Sequence, residues 1–135
     1  MRFITLTLLV IAAVLLTACG SASGQANTQI AKLPADIDVA TAASLMGRQD
    51  VFLLDVRTQA EYDQGHIPDI TLIPLDQVQS RLSEIPKDKT VVVTCRTGNR
   101  SAQAAQMLRQ NGYTDVHNMQ GGIVAWERAG YPVEK

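Results

Sequence analysis

Thr90-Val91-Val92-Val93-Thr94-Cys95-Arg96-Thr97-Gly98-Asn99-Arg100-Ser101, TVVVTCRTGNRS, decides how this chain reads. Its first five residues are all β-branched, and the stiff χ1 angles of such side chains favour a pleated strand. A helical pattern follows. Arg100 to Asn111 carries Ala102, Ala105, Met107 and Leu108 as an apolar stripe, and Gly112 closes it. Between strand and helix lies a short loop that starts with a cysteine and holds a glycine and two arginines. A buried structural cysteine does not require that company.

Outward from this unit, strand and helix signals alternate from Asp36 onward. Val51 to Val56 is a nearly continuous apolar run, as expected of a strand buried on both faces. Thr58-Gln59-Ala60-Glu61 fits a capping box that opens a short helix, and Gly65 is placed to stop it. Thr71 to Ile73 reads as a strand. Asp76 to Glu84 reads as a helix, with Val78, Leu82 and Ile85 at helical spacing and Pro86 ending it. Val116 to Asn118 reads as a strand, Gly121-Gly122 as a turn, and Ile123 to Ala129 as a helix stopped by Gly130. This alternation predicts a single α/β domain with a mostly parallel central sheet flanked by helices. In such folds the ligand sits at the carboxyl ends of the strands, and Cys95 lies at one of them.

The loop has its own chemistry. A short connection into a helix N-terminus turns backbone N–H groups inward, and with the helix dipole behind them they form an anion site. Gly98 lets the chain curl without a Cβ in the way. The same field stabilises a thiolate, because helix N-termini and nearby cations lower a cysteine from about 8.5 to roughly 3.5–7.5. Cys95 is therefore the candidate nucleophile. Arg96, Thr97, Gly98, Asn99, Arg100 and Ser101 are the candidate substrate cradle, with Arg96 and Arg100 as the cations. Cysteine-based phosphatases and arsenate reductases use Cys-x5-Arg. Here the spacing to Arg100 is Cys-x4-Arg, Ser101 stands where that arginine would be, and Thr94 precedes the cysteine where those phosphatases often have histidine.

The chain of 135 residues is 46% hydrophobic and 19% charged, enough for one globular domain. Its start has a different character. Met1-Arg2 is followed by an apolar run from Phe3 to Leu16, the layout of a secretory signal too short for a membrane span. Leu16-Thr17-Ala18-Cys19 resembles a bacterial lipobox, whose cysteine is lipidated and becomes the mature N-terminus. The expected organisation is a signal peptide over 1–18, a flexible tether over 19–32 and the folded domain over 33–135. The small polar residues after Cys19 give that tether a reach of roughly 20 Å. The expected location is extracytoplasmic, lipid-anchored through Cys19. Of the 12 basic residues only Arg2 precedes Cys19, which leaves 11 against 13 acidic ones and no basic run. Nucleic acid is not an expected partner. With Cys19 lipidated, Cys95 has no disulfide partner within the chain.

CRTGNRS at the end of a strand resembles the six-residue active loop of a rhodanese domain. The resemblance runs on through Asp55-Val56-Arg57, Glu61-Tyr62, Gly65-His66-Ile67-Pro68, Ile73-Pro74-Leu75, Gly121-Gly122-Ile123-Val124-Ala125-Trp126 and Gly130-Tyr131-Pro132-Val133. These blocks stand in the family's order and cover about Asp36 to Val133. The departure is Asp69-Ile70, where the family usually has a small Gly-Ala pair. The resemblance implies a sulfurtransferase that needs no metal or organic cofactor and works as a monomer. Cys95 takes sulfane sulfur from a small anion such as thiosulfate, or from a persulfide, and passes it from a Cys95 persulfide to a thiophilic acceptor. The alternatives are a persulfide carrier or binding module that docks on a partner protein, and a cysteine-based phosphatase or arsenate reductase. Asp55 and Arg57 are expected to form an ion pair that braces the sheet edge. His66 is expected to hold a turn, and Trp126, Met107 and Met119 to pack. His117 lacks further ligands at metal spacing.

Overall fold

The β-branched run at 90–94 forms the central strand of a five-stranded parallel sheet in the computed structural model, which describes residues 32–135. In chain order the elements are β1 (Asp36–Ile37), α1 (Val39–Ser44), β2 (Val51–Asp55), α2 (Gln59–Gln64) and β3 (Thr71–Leu72). Two 3-10 segments follow, Leu75–Ser80 and Leu82–Glu84, then β4 (Thr90–Thr94), α3 (Asn99–Gln110), β5 (Val116–Met119) and α4 (Gly122–Arg128). The sheet order is β1-β5-β4-β2-β3, with every neighbouring pair parallel. The expected signal peptide, Cys19 and the tether up to residue 31 lie outside the described residues.

All five residues of β4 are buried, so its alternation divides them between two cores rather than between core and water. Val91, Val93 and Cys95 share one face with Leu54, Val56, Ala104, Ala105 and Leu108, beneath α3 and the 3-10 segments. Val92 points the other way, into a core with Ile37, Ala42, Met119 and Trp126, beneath α1 and α4. Trp126 is fully enclosed there, and its Nε1 donates to Pro132 O at 2.9 Å. Met107 packs against the first core and Met119 lies within the second.

One local expectation is corrected, and the departure at Asp69-Ile70 has a structural account. Asp76 to Glu84 is not one α-helix but two 3-10 turns interrupted at Arg81, whose φ is −114°. An isolated helix of that length is marginal. Here Tyr113 Oη, 2.6 Å from Leu82 O and 2.9 Å from Ile85 O, engages carbonyls from outside the segment. Val78 and Ile85 still anchor it in the first core. At Asp69-Ile70, Asp69 takes φ +59°, the left-handed turn a glycine would take freely and one that aspartate tolerates among non-glycine residues. Ile70 fills the second core.

The feature that places the site is the start of α4. Ile123 N–H donates to Cys95 O at 2.9 Å and Val124 N–H to Arg96 O at 3.2 Å. That approach demands glycine. A Cβ on Gly122, where φ is +57°, would lie 2.4 Å from Cys95 O and 2.5 Å from Arg96 C, both backbone atoms with no free torsion to move away. Gly122→Ala should therefore lower stability by on the order of 2–4 kcal/mol, left-handed strain and overpacking together. Gly130 supplies the control. Its φ is +80° and nothing lies near a Cβ there, so Gly130→Ala should cost only about 1 kcal/mol. Urea unfolding of both variants checks the difference, and equal costs would mean that contact with the Cys95 loop is not what requires glycine at 122.

Candidate active site

β4 delivers Cys95 to the carboxyl edge of the sheet, and Gly98, at φ +104°, turns the chain into α3. α3 has no side-chain N-cap. Its orphan amides are instead aimed at sulfur: Gly98 N–H donates to Cys95 Sγ at 3.1 Å, and Ser101 Oγ lies 3.4 Å from it. The sulfur occupies the position that a capping oxygen would take. Cys95 is 1% exposed. Burial is the largest single influence on the thiol and pushes it up. The Ser101 hydroxyl with the N–H groups of Ser101, Gly98 and Thr97 outweighs it, so the thiol lies below its ordinary range.

Of the expected cradle, Thr97, Gly98 and Ser101 converge on the sulfur, while Asn99 is exposed as the first residue of α3. The arginines act differently from expectation. Arg100 turns to α2, where Nη1 reaches Glu61 Oε2 at 2.8 Å and Nη2 reaches Oε1 at 2.6 Å. Arg100, with help from the Thr58 N–H and hydroxyl and against burial, holds the Glu61 carboxyl down at about 2. The charge of Arg100 is thus matched by a carboxylate. The main lowering of the Cys95 thiol comes from the Ser101 hydroxyl and the amides of Ser101, Gly98 and Thr97, and Arg100 adds a smaller charge interaction with the sulfur. Arg96 is exposed and lines a cleft of about 230 Å³ together with Arg57, Glu61, Gln64 and Glu127. It has no ion pair among the described residues.

Asp55 and Arg57 form the expected brace, both nearly inaccessible to solvent. Arg57 Nη2 lies 2.7 Å from Asp55 Oδ2, and its guanidinium also donates to Glu61 O and Gly65 O. The pair ties the end of β2 to the middle and the C-terminal end of α2. His66 stacks on Tyr62 at 3.8 Å, with Nδ1 3.1 Å from Tyr62 O, and its backbone bridges Glu134 near the chain's end. His117 lies between Pro34 O and Asp115. Among the described residues, no cluster of three or more His, Cys, Asp or Glu could hold a metal ion.

Two site residues escape a reading of the sequence. Glu61 is legible as the N3 residue of a capping box, but its second task, neutralising Arg100, spans 39 positions of the chain. Asn118 lies on β5 beside Val93, and its Oδ1 is 2.6 Å from Ser101 Oγ. Only the strand register brings it to Ser101, beside the sulfur.

Known proteins are similar to this chain in sequence and fold. The rhodanese-like domain family matches residues 38–129. A sulfurtransferase of Allochromatium vinosum is 51% identical over 89 residues, which span 66% of this chain and 83% of that protein. A thiosulfate sulfurtransferase of Pseudoalteromonas translucida is 32% identical over 93 residues, 69% of this chain and 89% of that one. The crystal structure of a rhodanese-related protein from Thermoplasma volcanium superposes with a TM-score of 0.69 at 32% identity, covering 75% of this chain and 98% of that one. On the family match over residues 38–129 and the likeness to these relatives, this chain belongs to the rhodanese-like domain family.

Proposed function

We propose that this protein is a sulfurtransferase that carries sulfane sulfur as a persulfide on Cys95. The observation that carries the reading is the position of Sγ at the focus of the Thr97, Gly98 and Ser101 amides. The thiolate attacks the outer sulfur of thiosulfate, forming a new S–S bond as the old one breaks and sulfite departs with its electron pair. The terminal sulfur of the Cys95 persulfide then carries the negative charge, inside a ring of N–H donors. A thiophilic acceptor such as cyanide or a thiolate attacks that sulfur, and Cys95 leaves as thiolate, ready for the next cycle. Arg96, exposed at the cleft, meets the anionic donor. Lipid attachment at Cys19 would hold the domain at the outer face of a membrane, on the support of the lipobox-like Leu16–Cys19 stretch.

The phosphatase reading is disfavoured because Arg100, the only arginine near the required spacing, is already bound in bidentate fashion by Glu61. A sulfur carrier that docks on a partner uses the same persulfide and differs only in its acceptor.

Cys95→Ser should fold normally and reduce thiosulfate:cyanide activity to the assay blank, since a serine hydroxyl is too weakly acidic to form the nucleophile. Substantial turnover by that variant would remove Cys95 from the reaction. Loop length gives a second test. One glycine inserted between Gly98 and Asn99 restores Cys-x5-Arg spacing but widens the ring of amides. Sulfur transfer should fall roughly 100-fold or more, the scale of losing preorganised donors. Wild type should not turn over an aryl phosphate; if it does so efficiently without sulfur transfer, the phosphatase reading replaces this one.

A further inference from the structure

Ser101 Oγ has a single hydrogen and three neighbours that compete for it. Oγ is 2.6 Å from Asn118 Oδ1, 3.0 Å from Gly98 O and 3.4 Å from Cys95 Sγ. Ser101 is wholly buried and Asn118 nearly so, so no bulk water relieves the competition. The orientation of the Asn118 amide is fixed from the far side. Its Nδ2 donates to Asp36 Oδ1 at 2.9 Å, and because a carboxylate only accepts, the amide oxygen must face Ser101. With the hydrogen on Asn118, the Ser101 oxygen turns a lone pair toward sulfur. That suits a neutral thiol, whose S–H can donate to it, and it opposes a thiolate.

We propose that Asn118 is a positioning residue that holds the Ser101 hydroxyl hydrogen away from Cys95 while the sulfur is a thiol and yields it when the sulfur becomes an anion. On this account the hydroxyl stabilises the thiolate, or the persulfide, only after giving up its shortest hydrogen bond. Asn118 therefore sets a limit on how far the loop lowers the thiol. The limit has a chemical use, because the nucleophilicity of a thiolate falls as its pKa falls, and an attacking sulfur works best with a pKa near ambient pH. The chain Cys95–Ser101–Asn118–Asp36 also links the charge on the sulfur to β5 and to the edge strand β1.

The inference rests on Cys95 being the reacting sulfur, but alkylation reads its thiol whether or not sulfur transfer occurs. Failure of the proton account and failure of the sulfurtransferase reading are therefore separable. The charged groups around the sulfur are Arg96 in the loop, Arg100 with Glu61, the Asp55–Arg57 pair, Glu127 at the cleft and Asp36 behind Asn118. Asn118→Ala substitutes none of them but takes from Asp36 the hydrogen bond of Nδ2, an effect that the same substitution in Ser101→Ala carries equally and so controls for.

The test is the rate of iodoacetamide alkylation against pH. It should rise with pH through the thiol midpoint, and in Asn118→Ala that midpoint should move down by roughly half a pH unit or more, as Ser101 is released to the sulfur. In Ser101→Ala the same Asn118 substitution should produce no further shift. A midpoint unchanged by Asn118→Ala, or an equal shift with Ala at 101, overturns the proposal, since a merely structural role would not pass through the hydroxyl. Should Asn118→Ala fail to fold, wild type gives the answer alone. The Asn118 side-chain carbonyl 13C resonance should titrate with the Cys95 midpoint in wild type and stay flat in Ser101→Ala, and no response in wild type overturns the proposal.

Discussion

The site depends on the hydrogen bonds by which α4 takes the carbonyls of Cys95 and Arg96. A peptide is planar, with its N–H opposed to its C=O. Drawing the Arg96 carbonyl toward Val124 N–H therefore sends the Thr97 N–H the other way, toward the sulfur, where it joins those of Gly98 and Ser101. Glycine at 122 is what lets α4 come close enough to do this. The helix that follows the loop in sequence supplies amides, and the helix at the far end of the domain aims them.

Around that ring, the guanidinium groups of Arg57 and Arg100 are held in place by carboxylates. Arg57 is consumed by Asp55 and by carbonyls in the middle and at the C-terminal end of α2. Arg100 is consumed by Glu61, which also closes the capping box of the same helix. Each buried or half-buried guanidinium has its carboxylate, as the cost of leaving one unpaired requires. The sulfur is stabilised as an anion chiefly by hydrogen bonds, against the burial that opposes it, and the net effect lowers the thiol below its ordinary range. Such a site favours a small charge held at one atom.

Much of this was legible in the residues. The β-branched run at 90–94, the apolar stripe of α3 and the capping box at Thr58–Glu61 are local patterns, and each forms the element its pattern implies. The cysteine loop was visible because strand, glycine and helix start are contiguous. What sequence did not give arises from contacts between distant segments. β1 has two residues, too few for any periodic signal, and exists because it pairs with β5. The stretch from Leu75 to Glu84 has helical spacing, yet Tyr113 engages the carbonyls of Leu82 and of Ile85 just beyond it from 31 and 28 positions away. Arg100 reads as a cation facing the sulfur until α2 brings Glu61 to it. Asn118 has no signature of its own, and its place beside Ser101 follows from the register of β5 on β4.

The central claim is that the amide ring around Cys95 exists to hold sulfur on sulfur. It is tested most directly by intact-mass and peptide mass spectrometry of the reduced domain after exposure to thiosulfate and removal of excess donor. The account predicts a gain of one sulfur atom, localised to the peptide containing Cys95 and discharged by cyanide with release of thiocyanate. A domain that stays at its reduced mass with Cys95 still free to alkylate, or one that gains sulfur which cyanide does not remove, would contradict it.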